Sequence, residues 1–178
     1  CKELPDIKFK VAGTGPLEDI CNGIENVEFV GFKTGKALEE LIAKAKFSVY
    51  PSIWYENCPL SILESESLGT PVITAKHGGM MELVEDNETG ILVENINKDR
   101  LKSAIQNLNS DEKLLSLMSK NCIEKRKNMI SLDEYCEKAD FVFNLAGVNR
   151  PENPEDFMKG NFGFASQLLD TLKKHNNK

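Results

Sequence analysis

The sequence predicts an α/β fold in which a parallel sheet is covered by helices on both faces. Short β-rich runs alternate with helix-like segments through roughly the first hundred residues, and glycines or prolines close most of the β-rich runs. Repeated strand–helix–strand units join parallel strands by crossover connections, and their helices pack on the two faces of the sheet.

Five strands are expected in this part of the chain. In order, they are IKFKVAG, NVEFVGF, KFSVYPS, PVITA and ILVEN. The first is followed by the turn Gly13–Pro16, the third is closed by Pro51, and the fifth follows the turn Asn87–Gly90. Clusters of glycine, proline and asparagine are typical of turns at strand ends.

Helical segments are expected between these strands. One helix ends near Cys21, and another spans Leu60 to Leu68 and is ended by Gly69. A short helix lies around Met81 to Val84. The helix from Lys36 to Ala45 has one apolar face, formed by Leu38, Leu41, Ile42 and Ala45. A later helix has a similar core-facing row, formed by Leu101, Ala104, Ile105 and Leu108.

The carboxyl ends of the strands mark the expected ligand site. In Rossmann-like sheets of this type, ligands bind beyond the strand ends, where glycine-rich turns allow backbone amides to approach them. Gly13, Gly15 and the segments 52–60 and 77–79 all follow expected strands. We therefore expect these segments to share one rim of the sheet.

Composition argues against several classes of protein. A net charge of −6 and a pI near 5.1 disfavour sequence-independent nucleic-acid binding, which requires a basic face. Only two histidines are present, without neighbouring ligands, which disfavours a metal site. No apolar run approaches the roughly 20 residues that cross a bilayer.

The cysteines are scattered along the chain, at Cys1, Cys21, Cys58, Cys122 and Cys136. Their number is odd and none forms a CxxC pair, so we expect reduced thiols rather than disulfides or a zinc site. The first residues, CKELPDIKFK, contain no apolar leader segment. Both features predict a cytoplasmic protein.

The stretch YENCPLSILESESLGTPVI contains the candidate site. Pro59 suits the first position of a helix and Asn57 its cap, so the amides from Cys58 to Ser61 would lack partners inside the helix. Amides at a helix start can bind phosphate without a metal. Glu56 and Glu64 flank these amides and can accept hydrogen bonds from vicinal hydroxyls. A nucleotide sugar, which has hydroxyl-bearing sugars on both sides of a phosphate, fits this arrangement.

Simpler explanations stay open for several of these residues. Glu56 and Glu64 could serve only to cap the helix and offset its dipole. The turn Gly13–Gly15 is explained equally well as a plain connection from strand to helix. His77 is expected to be a loop residue beside a polar neighbour, with a catalytic base as the alternative.

Residues 7 to about 110 resemble the nucleotide-binding, carboxyl-terminal domain of the group 1 (family 4) retaining glycosyltransferases, which have the GT-B fold of two facing Rossmann-like domains. The resemblance lies in KVAGTGP, NVEFVGF, LEELIAKAKFSVYPSIWYENCPLSILESESLGTPVI and HGGMMELVEDNETGILV, in the family's order and spacing. Glu56 and Glu64 match the family's signature, two glutamates separated by seven residues.

The resemblance implies a role for each part of the site. Glu64 would bind the ribose, Glu56 would face the donor sugar as the candidate catalytic residue, and the amides of residues 58–60 would hold the distal phosphate. The implied nucleotide-sugar-binding residues are Gly13, Gly15, Asn57, Cys58, Pro59, Leu60, Glu64, Gly78 and Gly79. The implied reaction moves a hexosyl group from a nucleotide diphosphate sugar to a polysaccharide or glycolipid acceptor, without a metal or other cofactor.

Two parts of such enzymes are missing from this sequence. An Arg–Lys pair that offsets the charge of the leaving diphosphate should lie upstream of Cys1, as should the acceptor domain. We therefore expect weak nucleotide-sugar binding and little or no transfer, unless a partner chain supplies the rest. Trp54 and Tyr55 either face an acceptor or pack on the domain edge. A solvated helix end, or alternatively a peripheral membrane contact, is expected at the basic cluster of Lys120, Lys125, Arg126 and Lys127.

A boundary is expected near residue 129, separating a transferase domain (residues 1–129) from a segment of residues 130–178. The apolar pattern of this segment predicts a strand at Phe141–Ala146 and a final helix. The apolar face of that helix is formed by Phe162, Ala165, Leu168, Leu169 and Leu172. ADFVFNLAGVNRPENPEDFMKGNFGFASQLLDTLKK resembles the middle of an extended short-chain dehydrogenase/reductase, closest to the nucleotide-sugar reductases and epimerases of capsule synthesis. Asn161 matches that family's helix-opening asparagine.

The reductase-like segment lacks both motifs that its chemistry needs. The GxxGxxG turn and the YxxxK pair are absent from it, so it should neither bind NAD nor move a proton. We expect it to fold only by docking on the first domain. The sequence therefore favours the donor-binding half of a glycosyltransferase. A non-catalytic folded remnant or scaffold is the second hypothesis, and an NAD-dependent nucleotide-sugar reductase or epimerase fragment is the last.

Overall fold

The computed structural model describes residues 1–129, 131–139, 155 and 163–175. The chain divides into two compact units, Cys1–Lys127 and Asn128–Lys178. The predicted strand at Phe141–Ala146 and the predicted role of Asn161 lie outside the described residues. The predicted docking of the second segment on the first stays a prediction.

The first unit contains the five strands that the apolar runs predict. They are β1 (Phe9–Ala12), β2 (Val27–Gly31), β3 (Ser48–Tyr50), β4 (Val72–Ala75) and β5 (Gly90–Val93). Every pairing between them is parallel, as predicted: β1 pairs with β2, and β4 pairs with both β3 and β5.

The strands do not form the single sheet that we expected. Among the described residues, β1 and β2 make a two-stranded sheet, while β3, β4 and β5 make a separate three-stranded sheet in that order. No ladder of hydrogen bonds joins the two sheets within the described part of the chain. Apolar periodicity indicates that a strand exists, but it does not specify which edges pair, so the sequence could not have revealed this division.

Helices occupy most of the connections between strands, and further helices follow β5 in the described part of the chain. They are α1 (Gly35–Ala43), α2 (Leu60–Ser67), α3 (Met80–Leu83), α4 (Lys98–Ser110), α5 (Glu112–Lys127), α6 (Leu132–Lys138) and α7 (Phe164–Lys174). The expected helix near Cys21 is only one turn of 3₁₀ helix, Glu18–Cys21. Pro16 and Gly23 leave too few residues between them to propagate a helix. α1 also ends two residues earlier than predicted, so Ala45 lies beyond it.

The core of the first unit consists of two clusters that meet at β4. One contains Leu4, Ile73, Val93, Ile105, Leu108 and Met118. The other contains Ile62, Val72, Ala75, Met80 and Val84. All four residues of β4 are buried, because this strand has neighbours on both edges and apolar cover on both faces. Each fully buried aliphatic side chain contributes about 1.5–3 kcal/mol of stabilisation.

The described part of the second unit is a pair of contacting helices, α6 and α7. The hydroxyl of Ser131 caps α6 by accepting a hydrogen bond from the amide of Glu134, at 3.1 Å. Cys136 on α6 and Leu168 on α7 are buried. Among the residues that the structure describes, no helix combines the length and apolar character needed to span a membrane.

Candidate functional site

The start of α2 presents backbone donors that have no partner in the described part of the chain. α2 begins at Leu60, and Pro59, with φ −68° and ψ 110°, occupies the cap position without a side-chain cap. Within the described chain, the amides of Cys58, Leu60 and Ser61 have no hydrogen-bond acceptor. The prediction that Asn57 caps the helix is therefore wrong by two positions, and the prediction that Pro59 opens it is wrong by one. The extended ψ of Pro59 delays the helix, and the unpaired amides at its start remain.

A second loop lies against the segment that precedes α2. The amide of Gly79 donates a hydrogen bond to the carbonyl of Glu56, at 2.8 Å. A Cβ added to Gly79 would lie 1.7 Å from the carbonyl oxygen of Asn57, and one added to Gly78 would lie 2.8 Å from that of Glu56. Gly78 also has a φ of +56°, in the left-handed region. Glycine is therefore required at both positions for the two predicted segments to come together.

The carboxylates of the two signature glutamates have no partner among the described residues. Glu56 is half-buried, and its backbone, rather than its side chain, contacts Gly79. Glu64 is exposed, and it lies on the same face of α2 as the exposed Leu60, one turn earlier. Neither carboxylate forms a hydrogen bond or ion pair with a described residue. Both can therefore accept hydrogen bonds from a ligand.

The glycine turn after β1 is satisfied by its own surroundings. The amide of Gly13 donates to the carbonyl of Gly31 at 3.0 Å, and the amide of Gly15 donates to the carboxylate of Glu18 at 2.7 Å. Apart from the adjacent residues of the chain, no described residue has an atom within 4 Å of a Cβ added to either Gly13 or Gly15. These contacts fit a plain strand-to-helix turn, and ligand binding by Gly13 and Gly15 stays a prediction.

His77, in the loop before α3, contacts the loop before α2 that contains Trp54 and Tyr55. Its Nε2 lies 2.9 Å from the carbonyl oxygen of Trp54, and its ring centroid lies 5.1 Å from that of Tyr55. His77 is therefore a loop residue with a polar neighbour, as expected. Trp54 and Tyr55 are 75% and 86% exposed as residues, so they do not pack into the domain edge.

The cysteines differ sharply in their surroundings. Cys58, at the helix start, is exposed, whereas Cys122 on α5 is buried. Burial raises the pKa of the Cys122 thiol to about 12, and the nearby Glu66 carboxylate adds to this rise. Cys122 is therefore an inert structural thiol. No group of histidine, cysteine or carboxylate side chains within the described residues is arranged to hold a metal ion.

The sequence did not reveal that α2 contains a buried charge, the carboxylate of Glu66. Glu66 is 4% exposed, and its carboxylate lies 2.9 Å from the ammonium of Lys125. Lys125 is thus not part of a solvated helix end, whereas Arg126 stays exposed and donates a hydrogen bond to the carbonyl of Ser67 at 2.9 Å. The helical period could have indicated this burial, because Glu66 lies one turn after Ile62, which faces the core.

The α/β domain has parallel strands, and the start of α2 presents amides and two carboxylates that have no partner among the described residues. This combination suits a phosphorylated, hydroxyl-rich ligand. Residues 1–129 match the family described as Glycosyl transferases group 1, and the chain belongs to this family. The predicted resemblance to these transferases is therefore confirmed.

Individual relatives support the same assignment. An uncharacterized glycosyltransferase of Methanocaldococcus jannaschii, MJ1607, is 35% identical over 106 residues, which is 56% of this chain and 27% of the relative. The putative colanic acid biosynthesis glycosyltransferase WcaL of Escherichia coli is 27% identical over 109 residues, 52% of this chain and 27% of the relative. The chain thus spans about a quarter of the length of these curated relatives.

The fold is also found among solved structures. Anabaena Alr3699/HepE in complex with UDP aligns with a TM-score of 0.61 and 24% identity, over 69% of this chain and 36% of that one. This likeness confirms the predicted fold class. A separate match is to a reductase of Pseudomonas aeruginosa, UDP-2-acetamido-2,6-beta-L-arabino-hexul-4-ose reductase, which is 42% identical over 45 residues, 25% of this chain and 12% of the relative. The reductase-like nature of residues 130–178 stays a prediction.

Proposed function

We propose that residues 1–129 are the donor-binding half of a retaining glycosyltransferase that moves a sugar from a nucleotide diphosphate sugar to a polysaccharide or glycolipid. The observation that carries this proposal is the start of α2, where the amides of Cys58, Leu60 and Ser61 lack acceptors in the described chain. Membership of the group 1 family supports it, as do the colanic acid pathway named for WcaL and the UDP bound by HepE.

The phosphate would bind at these amides. The positive end of the α2 dipole and the three unpaired donors favour a dianionic group without a metal. The same donors would stabilise the charge that develops on the diphosphate as it leaves the sugar. The departure of the leaving group is then assisted by fixed backbone dipoles that are already oriented before the reaction.

The carboxylates would bind the sugars on either side of the phosphate. Glu64, one turn into α2, would accept hydrogen bonds from the ribose hydroxyls, while Glu56 would face the donor sugar near the reacting carbon. The contact of Gly79 with Glu56 and Asn57 would hold the backbone of both loops close to the diphosphate. Gly13 and Gly15 would line the same cleft.

Transfer would require more than this chain provides. The acceptor-binding domain would come from another polypeptide or from a longer chain, so these 178 residues would bind the donor but catalyse little or no transfer. The scattered, odd-numbered cysteines favour a location in the cytoplasm. A peripheral membrane contact would have to use cations other than Lys125, since its ammonium is paired with the buried carboxylate of Glu66.

Calorimetric titration of the chain with UDP, GDP and NAD tests the proposal. We expect heat with UDP or GDP, and an affinity about 10- to 150-fold lower in Glu64→Ala, because a hydrogen bond to a charged group contributes about 1.5–3 kcal/mol. Glu39→Ala, which removes another exposed glutamate from α1, is the matched control and should bind as the wild type does. If neither UDP nor GDP gives a heat of binding, a folded remnant is favoured. If only NAD gives a heat of binding, a reductase is favoured.

A further inference from the structure

The carboxylate of Glu66 is buried in the last turn of α2 and is fully hydrogen-bonded. Its Oε1 accepts a hydrogen bond from the hydroxyl of Thr89 at 2.6 Å, and its Oε2 accepts one from the ammonium of Lys125 at 2.9 Å. A buried carboxylate is tolerated when its charge is paired and its oxygens have donors. Lys125 lies on α5, so this ion pair joins α5 to α2.

Lys125 also binds the end of α3. Its ammonium donates a hydrogen bond to the carbonyl of Leu83, the last residue of α3, and lies 3.8 Å from the carboxylate of Glu85. The last carbonyls of a helix lack partners inside it, and a lysine ammonium is a common substitute. α3 consists of a single turn, so it depends on such outside contacts. Lys125 therefore links α2 and α3.

The other end of α3 is fixed at the candidate site. α3 begins at Met80, directly after Gly79, whose amide is bonded to the carbonyl of Glu56. Met80 is fully buried, and its sulfur accepts a hydrogen bond from the hydroxyl of Thr74 on β4. A movement of the Leu83 end of this single turn would therefore be transmitted to Gly79 and to the loop that precedes α2.

We propose that Glu66 and Lys125 are positioning residues for the nucleotide diphosphate site. Their ion pair holds α3 against α2, so the Gly78–Gly79 turn and the unpaired amides at the start of α2 keep one relative position. Neither side chain contacts the ligand. The nature of the ligand rests on the proposed function, whereas the fixing of α3 does not.

Amide hydrogen exchange of the full chain without nucleotide tests the fixing of α3. In Lys125→Met, we expect exchange of residues 79–84 to be at least about 10-fold faster than in the wild type, with β4 unchanged. Lys125→Arg, which keeps a cation and its donors, should restore slow exchange. The matched control is Lys127→Met on the same helix, because Lys127 forms only an exposed pair with Glu124. If residues 79–84 of Lys125→Met exchange at the same rate as in the wild type, the proposal is overturned.

A double variant keeps the test valid if Lys125→Met unfolds. Glu66→Met combined with Lys125→Met leaves no unpaired buried charge, and replacing a buried ion pair by apolar side chains of similar size is often neutral for stability. This variant still lacks the bond to the Leu83 carbonyl. It should unfold as the wild type does and yet show the same fast exchange in residues 79–84. Slow exchange there would show that the pair contributes only to stability.

UDP affinity, measured at a temperature where every variant is folded, tests the effect on the site. We expect about 10-fold weaker binding in Lys125→Met and in the double variant, recovery in Lys125→Arg, and no change in Lys127→Met. Equal UDP affinity in all four variants would overturn the positioning role, because a purely structural pair does not affect binding to the folded protein. If the wild type itself does not bind UDP, the proposed function fails, and hydrogen exchange still decides whether the pair fixes α3.

Discussion

Replacing Gly79 with alanine should force apart the two loops of the candidate site. The added Cβ would lie 1.7 Å from the carbonyl oxygen of Asn57, whereas real Cβ atoms essentially never approach another atom closer than 3.0 Å. The loops must therefore separate by at least 3.0 − 1.7 = 1.3 Å. A shift of that size along the 2.8 Å hydrogen bond from Gly79 to Glu56 would lengthen it to 2.8 + 1.3 = 4.1 Å and break it.

The expected loss of stability in Gly79→Ala is about 1–3 kcal/mol. A lost hydrogen bond costs about 1 kcal/mol. Displacement of packed backbone by an oversized side chain costs about 1–3 kcal/mol. Removal of a glycine from the unfolded chain offsets about 0.4–1 kcal/mol of this. UDP affinity should fall as well, because the loop displaced by the new side chain leads directly into α2.

Urea unfolding followed by circular dichroism measures this loss. Gly15→Ala is the matched control, since its added Cβ has no atom of a described residue within 4 Å other than those of its chain neighbours. It should unfold at the wild-type urea concentration or slightly above it. The reasoning is refuted if Gly79→Ala unfolds with the wild-type midpoint, or if Gly15→Ala is equally damaging.

Two further predictions concern ionisable side chains. The Cys122 thiol, with its pKa raised to about 12 by burial, should resist iodoacetamide at pH 8 in the folded chain while exposed Cys58 reacts; mass spectrometry showing equal labelling would contradict this. Hydrogen bonds and charge from Lys98 and Lys102 lower the pKa of the Glu3 carboxyl to about 2. Its stabilising contribution is therefore complete above pH 4.5 and is lost as the pH falls towards 2. Glu3→Gln should unfold with a shallower pH dependence in this range, and an unchanged slope would count against the pairing.

The elements that the sequence predicted well are those with strong local signals. The apolar run PVITA becomes β4, with all four of its strand residues buried, and the proline before Leu60 marks the start of α2 to within one residue. The E-x7-E pair and its surrounding motifs identify the family, because several short patterns agree in order and spacing. Such features depend on neighbours close in the chain.

The features that the sequence did not reveal depend on contacts between distant residues. Glu66 and Lys125 are 59 positions apart, and a charge on each gives no sign that they meet in the interior. The close approach of Gly79 to Asn57 likewise depends on how two loops pack. The cap of α2 was misplaced because the proline ring fixes only φ, and the ψ of Pro59, which is extended at 110°, cannot be read from the residue type.

The most direct test of the central claim is a backbone amide NMR titration of the nitrogen-labelled chain with UDP. The claim is that the start of α2 holds a diphosphate, so the amide signals of Cys58, Leu60 and Ser61 should shift furthest and saturate together. Signals from α4, which has no part in the site, should stay in place. If these three amides do not move while UDP binds elsewhere, or if no amide responds to UDP at millimolar concentration, the assignment of the site is wrong.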